Sequence, residues 1–210
     1  MSTPKKRARR TPPKKAPHAP ALTSRFIRAL GYAARIHARQ TRKGKEHPYV
    51  GHLLAVASIV IQYGGDENAV IAALLHDAVE DQGGLPRLRE IRRKFGTRVA
   101  RIVAGCTDTD ETFRPPWRER KERYIRRVRR ESPEVRLVSA ADKLSNVREI
   151  LADHRLLGDA VFERFHGRKE GTLWYYRALV EEFRAAGVTP LVEELDRVVS
   201  ALERRARPAD

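Results

Sequence analysis

The sequence contains one cysteine, one methionine and no long apolar run. The lone Cys106 excludes an internal disulfide framework and is typical of a protein from a reducing compartment. The longest mostly apolar stretch, residues 53–61, is too short to cross a bilayer. The basic N-terminus has no apolar segment behind it, so it does not resemble a secretory signal. Together these absences predict a cytoplasmic protein without a membrane span.

Acidic residues are also scarce: 27 Asp and Glu stand against 43 Lys and Arg, for a formal net charge of +16. Such a balance favours polyanionic partners, for example phosphorylated metabolites or nucleic acid. Residues 1–21 contain no acid, and their Pro, Lys and Arg leave little to bury. We therefore predict a disordered basic tail over 1–21 and a single domain over 22–210. The tail is interpreted as a solubilising extension with at most weak, nonspecific nucleic-acid binding. No sequence feature specifies an oligomeric state.

Alternating apolar and polar residues bounded by hairpin turns are absent, whereas helical apolar spacing recurs along the chain. The pattern predicts an all-α fold, with Thr97 and Ser132 among the helix caps. Helices are predicted from Thr23 or Ser24 through His37, over 49–63, from Asp66 into 72–81, and over 86–95, 97–106, 118–130, 133–151, 160–165, 172–186 and 190–205.

Residues 72–81, AALLHDAVED, place a histidine and three carboxylates within one and a half helical turns. Residues three and four apart share a helix face, so His76 lies with Glu80, and Asp77 lies with Glu80 and Asp81. Like charges this close are costly unless a cation or shared protons relieve them. The stretch therefore predicts a metal site.

Two further residues are good candidate ligands in awkward settings. Asp142 stands among apolar helix neighbours, where an unpaired carboxylate would be penalised. With His52, His76 and Asp77 it makes a mixed nitrogen and oxygen ligand set drawn from three helices, with open positions for water and substrate. That set suits Mn, Fe or Zn. Taken singly, His52 could instead be a capping or core histidine, and Asp142 could pair with an arginine.

Three blocks of sequence resemble the HD superfamily of metal-dependent phosphohydrolases, and more narrowly the alarmone hydrolases related to RelA/SpoT. They are RKGKEHPYVGH over 42–52, LLHDAVED over 74–81 and ADKLSNVR over 141–148. The likeness spans roughly residues 25–180, in the order and spacing of the family. It implies an HD-domain helical bundle.

The resemblance also implies an activity, namely removal of the 3′-pyrophosphate from the alarmone (p)ppGpp to give GDP or GTP and pyrophosphate. By the resemblance, one divalent ion, usually manganese, is held by His52, His76, Asp77 and Asp142. Glu80 and Asp81 would position and deprotonate the attacking water, and Arg42, Lys43 and Asn146 would line the nucleotide pocket. Without the resemblance, Arg42 and Lys43 would be interpreted as a solvated loop.

The sequence departs from the family pattern in two places and in length. Gly44 stands where the long bifunctional enzymes usually have serine, and Gln82 stands where they usually have threonine. Neither position is a predicted ligand. The sequence ends at Asp210 without room for a synthetase domain, so it resembles the small stand-alone alarmone hydrolases.

Other features are interpreted as structural. Cys106 lacks metal-ligand spacing around it, the 174–176 aromatic run (WYY) is predicted to be core, and the basic helix 118–130 is predicted to present a solvated face.

One alternative is an HD phosphohydrolase acting on another nucleotide, as a nucleotidase or an NADPH 2′-phosphatase. A less favoured alternative is a basic nucleic-acid-binding regulatory protein with a vestigial site.

Overall fold

The computed structural model describes residues 21–108 and 115–207, and these contain ten α-helices and no β-strand. The predicted all-α fold is confirmed, whereas the predicted tail lies outside the described residues apart from Ala21. A 3₁₀ helix, Gly158–Arg164, lies between the eighth and ninth helices. The helices are α1 Ser24–Ile36, α2 Val50–Gln62, α3 Glu67–Leu75, α4 Ala78–Asp81, α5 Gly84–Phe95, α6 Thr97–Cys106, α7 Trp117–Val128, α8 Pro133–Leu157, α9 Arg168–Ala186 and α10 Pro190–Arg205.

Four of the ten described helices begin after a side-chain cap that the sequence shows, and Thr189 before α10 is one of these caps. The side chains of Thr23, Asp66 and Ser132 each accept a hydrogen bond from a backbone N–H in the first turn that follows. Thr97 was predicted as a cap, but it is the first residue of α6, and Gly96 precedes it without a side-chain bond. The structure also extends α8 from the predicted end near residue 151 to Leu157. The chain has no stop signal there until Gly158, which adopts φ +57°.

The predicted third helix is interrupted at its most charged point. It ends at Leu75, and the short α4 begins at Ala78 after a turn formed by His76 and Asp77. The Nδ1 atom of His76 lies 2.8 Å from the carbonyl oxygen of Ala73, the group that the Asp77 N–H would bond in a continuous helix. A side chain that takes over a helix carbonyl is a recognised cause of a break.

Two helices organise the core. Every residue of α3 from Ala69 to Leu75 is buried, and α3 packs against α1, α2, α6 and α8. The long α8 also packs against α2, α6, α9 and α10. Helices α3 and α8 are therefore each held in place by several neighbouring helices. None of the described helices is both long enough and apolar enough to cross a membrane.

Helix α7 is attached chiefly to α9. A Cβ atom at Gly167 would lie 2.5 Å from the Trp117 ring, and one at Gly171 would lie 3.1 Å from it. The Arg118 guanidinium stacks 3.3 Å from the centroid of the Trp174 ring. These contacts fix the N-terminal half of α7 beside the start of α9.

We expect the Leu179→Ala variant to lower the free energy of unfolding by about 2–5 kcal/mol, because it leaves a cavity in a fully buried part of α9. Leu156→Ala is the matched control, since this leucine is 84% exposed at the end of α8. Its effect should stay within about 0.5 kcal/mol. Chemical denaturation of both variants checks the difference, and equal losses would contradict the packing described above.

Candidate functional site

Four polar side chains converge where α2, the α3–α4 turn and α8 meet. His52 comes from α2, His76 and Asp77 from the turn, and Asp142 from α8. Asp142 Oδ1 lies 3.2 Å from His52 Nε2 and 3.5 Å from His76 Nε2. The closest set of possible metal ligands is His52, His76 and Asp142, whose ligand atoms all lie within 4.8 Å of one another. All three residues are buried.

The two imidazoles are oriented so that each Nε2 atom faces this point. His76 uses Nδ1 to contact the Ala73 carbonyl, and His52 Nδ1 lies 3.3 Å from the Ser145 hydroxyl. Both Nε2 atoms are buried and lie close to carboxylate oxygens, but neither makes a well-formed hydrogen bond among the described residues. Buried polar atoms normally have such partners. Two imidazole nitrogens facing buried carboxylates are a ligand set that fits a borderline divalent ion.

Asp77, the fourth predicted ligand, lies against the same two imidazoles. Its Oδ2 atom is 2.9 Å from His76 Nε2 and 3.6 Å from His52 Nε2. The same oxygen accepts a hydrogen bond of 2.6 Å from the Tyr49 hydroxyl. Tyr49, which the sequence analysis did not single out, stands one turn before His52, and that spacing is the signal that could have indicated it.

The ionisable side chains that converge here strongly shift one another's pKa values. Burial alone would lower the pKa of His76, but Asp77 and Asp142 raise it well above its ordinary value. Burial would likewise raise the pKa of Asp142, yet Lys143 and the histidines hold it well below its usual range. The carboxylates are thus stabilised as anions by neighbouring positive charge. A metal ion bound here would have to displace the imidazole protons.

The two carboxylates that follow on α4 occupy the edge of the site. Burial and the nearby charge of Asp77 raise the pKa of Glu80, as expected of a crowded carboxylate. Arg120 Nη1 lies 3.9 Å from Glu80 Oε1. Asp81 is exposed and accepts a hydrogen bond of 2.8 Å from the Gln40 side-chain amide.

A cleft of about 490 Å³ opens next to the convergence point. Three residues that surround that point, Tyr49, Lys143 and Asn146, also line the cleft. Its lining is dominated by cations and aromatic rings. The cationic residues are Arg42, Lys43, Lys45, Lys121, Lys143 and Arg164, and the aromatic ones are Tyr49, Trp117, Phe165, Tyr175 and Tyr176. A concave site of this composition suits a phosphorylated aromatic ligand.

All three residues expected to contact a nucleotide line this cleft. Arg42 Nη2 donates to Asn146 Oδ1 at 2.7 Å, and the Asn146 amide donates to Asp142 Oδ1 at 2.6 Å. The cleft and the convergence point are therefore joined by a chain of hydrogen bonds. Arg42 is also paired with Glu149. Burial alone would raise the pKa of Glu149, but its hydrogen bonds with Arg42 and Lys45 lower that pKa to about 2. Lys43 Nζ stands 5.8 Å from the centroid of the Phe165 ring.

The basic helix α7 presents the predicted solvated face through Arg118, Arg123 and Arg126, but two of its cations lie away from that face. Lys121 lines the cleft, and Arg120 faces Glu80. A signal for Lys121 existed, because it shares a helical face with the buried residues Tyr124 and Val128. The aromatic run over 174–176 was predicted as core. Its second and third rings are buried, but they also line the cleft.

Comparisons with known proteins agree with this geometry. A family model described as an HD domain matches residues 29–171. The human guanosine-3′,5′-bis(diphosphate) 3′-pyrophosphohydrolase MESH1 is 39% identical over 130 residues, which cover 60% of this chain and 70% of the human protein. A protein named guanosine-3′,5′-bis(diphosphate) 3′-pyrophosphohydrolase from Aquifex aeolicus is 35% identical over 133 residues, but these cover only 19% of its length.

Solved structures are similar as well. The structure of a metazoan orthologue of SpoT, described as hydrolysing ppGpp, superposes with a TM-score of 0.72 at 28% identity, covering 88% of this chain and 98% of that one. A Listeria monocytogenes protein, lmo0812, superposes with a TM-score of 0.65 at 32% identity, covering 73% and 99% of the two chains. An HD domain implies a divalent metal, and the triad provides a candidate place for it.

We expect His52→Gln to weaken divalent-metal binding by about a hundredfold or more, because a ligand nitrogen is lost, whereas changes behind a ligand cost about 10–100-fold. His154→Gln is the matched control: this histidine is also buried, but it contacts Asp159 rather than the triad. Calorimetric titration of metal-free protein with Mn²⁺ measures both. Unchanged affinity in His52→Gln would remove this residue from the ligand set.

Proposed function

Because the chain belongs to the HD-domain family, we propose that it hydrolyses (p)ppGpp, removing the 3′-pyrophosphate to give GDP or GTP and pyrophosphate. The observation that carries the proposal is the continuity of the buried His52, His76 and Asp142 triad with a cationic, aromatic cleft of nucleotide size. The names of the similar human and Aquifex proteins supply the substrate class.

In this proposal His52, His76, Asp77 and Asp142 hold one divalent ion, and manganese is the ion that we propose. When bound, the ion supplies Lewis-acid polarisation of a phosphoryl oxygen. The hydrogen bond from Tyr49 and the contact between His76 and Ala73 fix the orientation of the ligand side chains. Oriented partners of this kind strengthen a metal site.

Glu80 is proposed as the general base that takes a proton from the attacking water, with Asp81 helping to position that water. The raised pKa of Glu80 makes its carboxylate a stronger proton acceptor than an ordinary glutamate. Asp81 is fixed by the Gln40 amide. The two carboxylates stand on α4, which begins directly after the turn formed by His76 and Asp77.

The nucleotide is proposed to occupy the cleft, where its phosphates meet several fixed cations. Arg42, Lys43 and Lys121 all line the cleft, while its aromatic rings offer surfaces for the base. Arginine and lysine are the usual partners of phosphate groups. Asn146 links Arg42 to Asp142, so a nucleotide bound through Arg42 is placed next to the triad.

The substrate assignment is tested by incubating the Mn²⁺-loaded chain with ppGpp, pppGpp, NADPH and nucleoside triphosphates. We expect equimolar pyrophosphate and GDP or GTP from the two alarmones, because their 3′-pyrophosphate can reach the triad while the base stays in the cleft. Release of orthophosphate from NADPH alone would instead favour a 2′-phosphatase. Absence of pyrophosphate from both alarmones contradicts the proposal.

The role of Glu80 is tested by Glu80→Gln. We expect this variant to bind Mn²⁺ like the wild type, while kcat falls by about 10²–10⁴-fold because the proton acceptor is lost. Glu193→Gln is the control, since Glu193 is an exposed residue of α10. If Glu80→Gln turns over at the wild-type rate, Glu80 is not the base.

The raised pKa of Glu80 predicts the direction in which kcat/KM changes with pH. A base whose pKa is raised must be deprotonated to act, so kcat/KM should fall on acidification at a pH above the ordinary glutamate value of about 4.3. The profile is measured with saturating Mn²⁺, and bound metal is quantified at each pH. An acid limb at or below the ordinary value, with metal still bound, contradicts this assignment.

The cytoplasmic location and the weak nucleic-acid binding of the basic tail stay predictions. Deleting residues 1–21 and comparing DNA and RNA binding over a range of salt concentrations separates the tail from the domain.

A further inference from the structure

Asp108, two residues after the end of α6, carries a buried carboxylate that belongs neither to the candidate ligand set nor to the lining of the cleft. Its side chain is 7% exposed. Its Oδ2 atom accepts hydrogen bonds from Arg120 Nη1 at 3.0 Å and from Lys121 Nζ at 2.8 Å. A buried carboxylate is costly unless it is paired, and here two consecutive cations of α7 pair with one oxygen atom.

The two cations reach different parts of the proposed active site. Arg120 Nη1 lies 3.9 Å from Glu80 Oε1, whereas Lys121 lines the cleft, with its Nζ 4.9 Å from the centroid of the Tyr175 ring. Asp108 therefore contacts two cations, one of which reaches Glu80 on α4 while the other reaches the cleft.

We infer that Asp108 is a positioning residue, which holds Arg120 back from Glu80 and directs Lys121 into the cleft. The catalytic part of this inference rests on the proposed function, whereas the anion-binding part does not. Asp108 does not itself line the cleft and is not proposed to touch the substrate.

Asp108 and Glu80 compete for the Arg120 guanidinium. Arg120 has the Asp108 carboxylate at 3.0 Å and the Glu80 carboxylate at 3.9 Å, so the closer one holds the guanidinium. If Asp108 lost its charge, Glu80 would be the stronger acceptor, and Arg120 would occupy the oxygen that has to take the proton. Lys121 would at the same time lose the carboxylate that fixes its ammonium group, and a flexible lysine binds an anion less well.

The test compares Asp108→Asn with Asp196→Asn. Asp196 also binds two cations, Arg177 at 2.6 Å and Arg184 at 3.0 Å, but it stands on α10, pairs with α9 and does not line the cleft. With ppGpp, Asp108→Asn should lower kcat and raise KM, for a combined loss in kcat/KM of about tenfold or more. Asp108→Glu should recover part of the loss, and Asp196→Asn should stay within about twofold of wild type.

A second readout does not require turnover. Replacing Asp108 by Asn removes a negative charge from a cation-rich wall, so electrostatics alone would tighten the binding of an anion. Loss of positioning predicts the opposite. Calorimetric titration of the metal-loaded protein with inorganic pyrophosphate should show binding weakened by about fivefold or more in Asp108→Asn relative to Asp196→Asn.

The outcomes separate the two proposals. Pyrophosphate binding in Asp108→Asn that equals or exceeds that of Asp196→Asn overturns the inference, whatever the activity, and so does a wild type that binds no pyrophosphate. Weakened binding in a chain that releases pyrophosphate from no nucleotide supports the positioning role while the proposed function fails.

A variant that leaves the buried carboxylate intact covers the case in which Asp108→Asn does not fold. Lys121→Gln should weaken pyrophosphate binding by itself. Where both single variants fold, the double variant should lose little more than either, because the two residues act as one unit. Unchanged binding in Lys121→Gln, or full additivity in the double variant, would show that Asp108 does not act through Lys121.

Discussion

The structure depends on a negative charge buried among helices. Asp142 lies inside α8, and a carboxylate in that place is tolerable only if cations and donors surround it. They come from α2, from the turn after α3 and from α8 itself: His52, His76, Lys143 and Asn146 all contact its oxygen atoms. Packing α2 and α3 against α8 thus surrounds the buried carboxylate as well as burying apolar faces, and it is also what creates the candidate metal site.

The break between α3 and α4 serves the same requirement. In a continuous helix, His76 and Glu80 would share a face. Instead, the contact of His76 with the Ala73 carbonyl aims its Nε2 at Asp142. Glu80 lies on the separate helix α4, near Arg120. The histidine and the glutamate are thereby given different neighbours. Acid and base roles in enzymes commonly depend on such divergent surroundings.

Much of the fold and part of the site could be predicted, because the signals were local. Helix spacing, the caps at Asp66 and Ser132 and the ligand-rich stretch after α3 are all readable over a few residues. The contact between Arg42 and Asn146 joins residues 104 positions apart, and the resemblance, not any local pattern, placed both of them in the nucleotide pocket. Lys121 was missed because a basic helix is usually solvated, and only packing on α9 turns one face inward. The break at His76 was missed because it is made by a side chain and not by glycine or proline.

The cleft shows why so many of its cations are paired with acids. Glu149 and Asp153 hold Arg42, Lys45 and Arg164, and Asp108 holds Lys121 from behind the wall. Each pairing reduces the attraction for an incoming anion, yet it fixes the direction of a long side chain before the anion arrives. Positive groups that need no reorganisation stabilise developing negative charge more effectively than mobile ones. Lining cations still outnumber lining carboxylates, so a ligand with several phosphate groups meets a positive surface that is already in place.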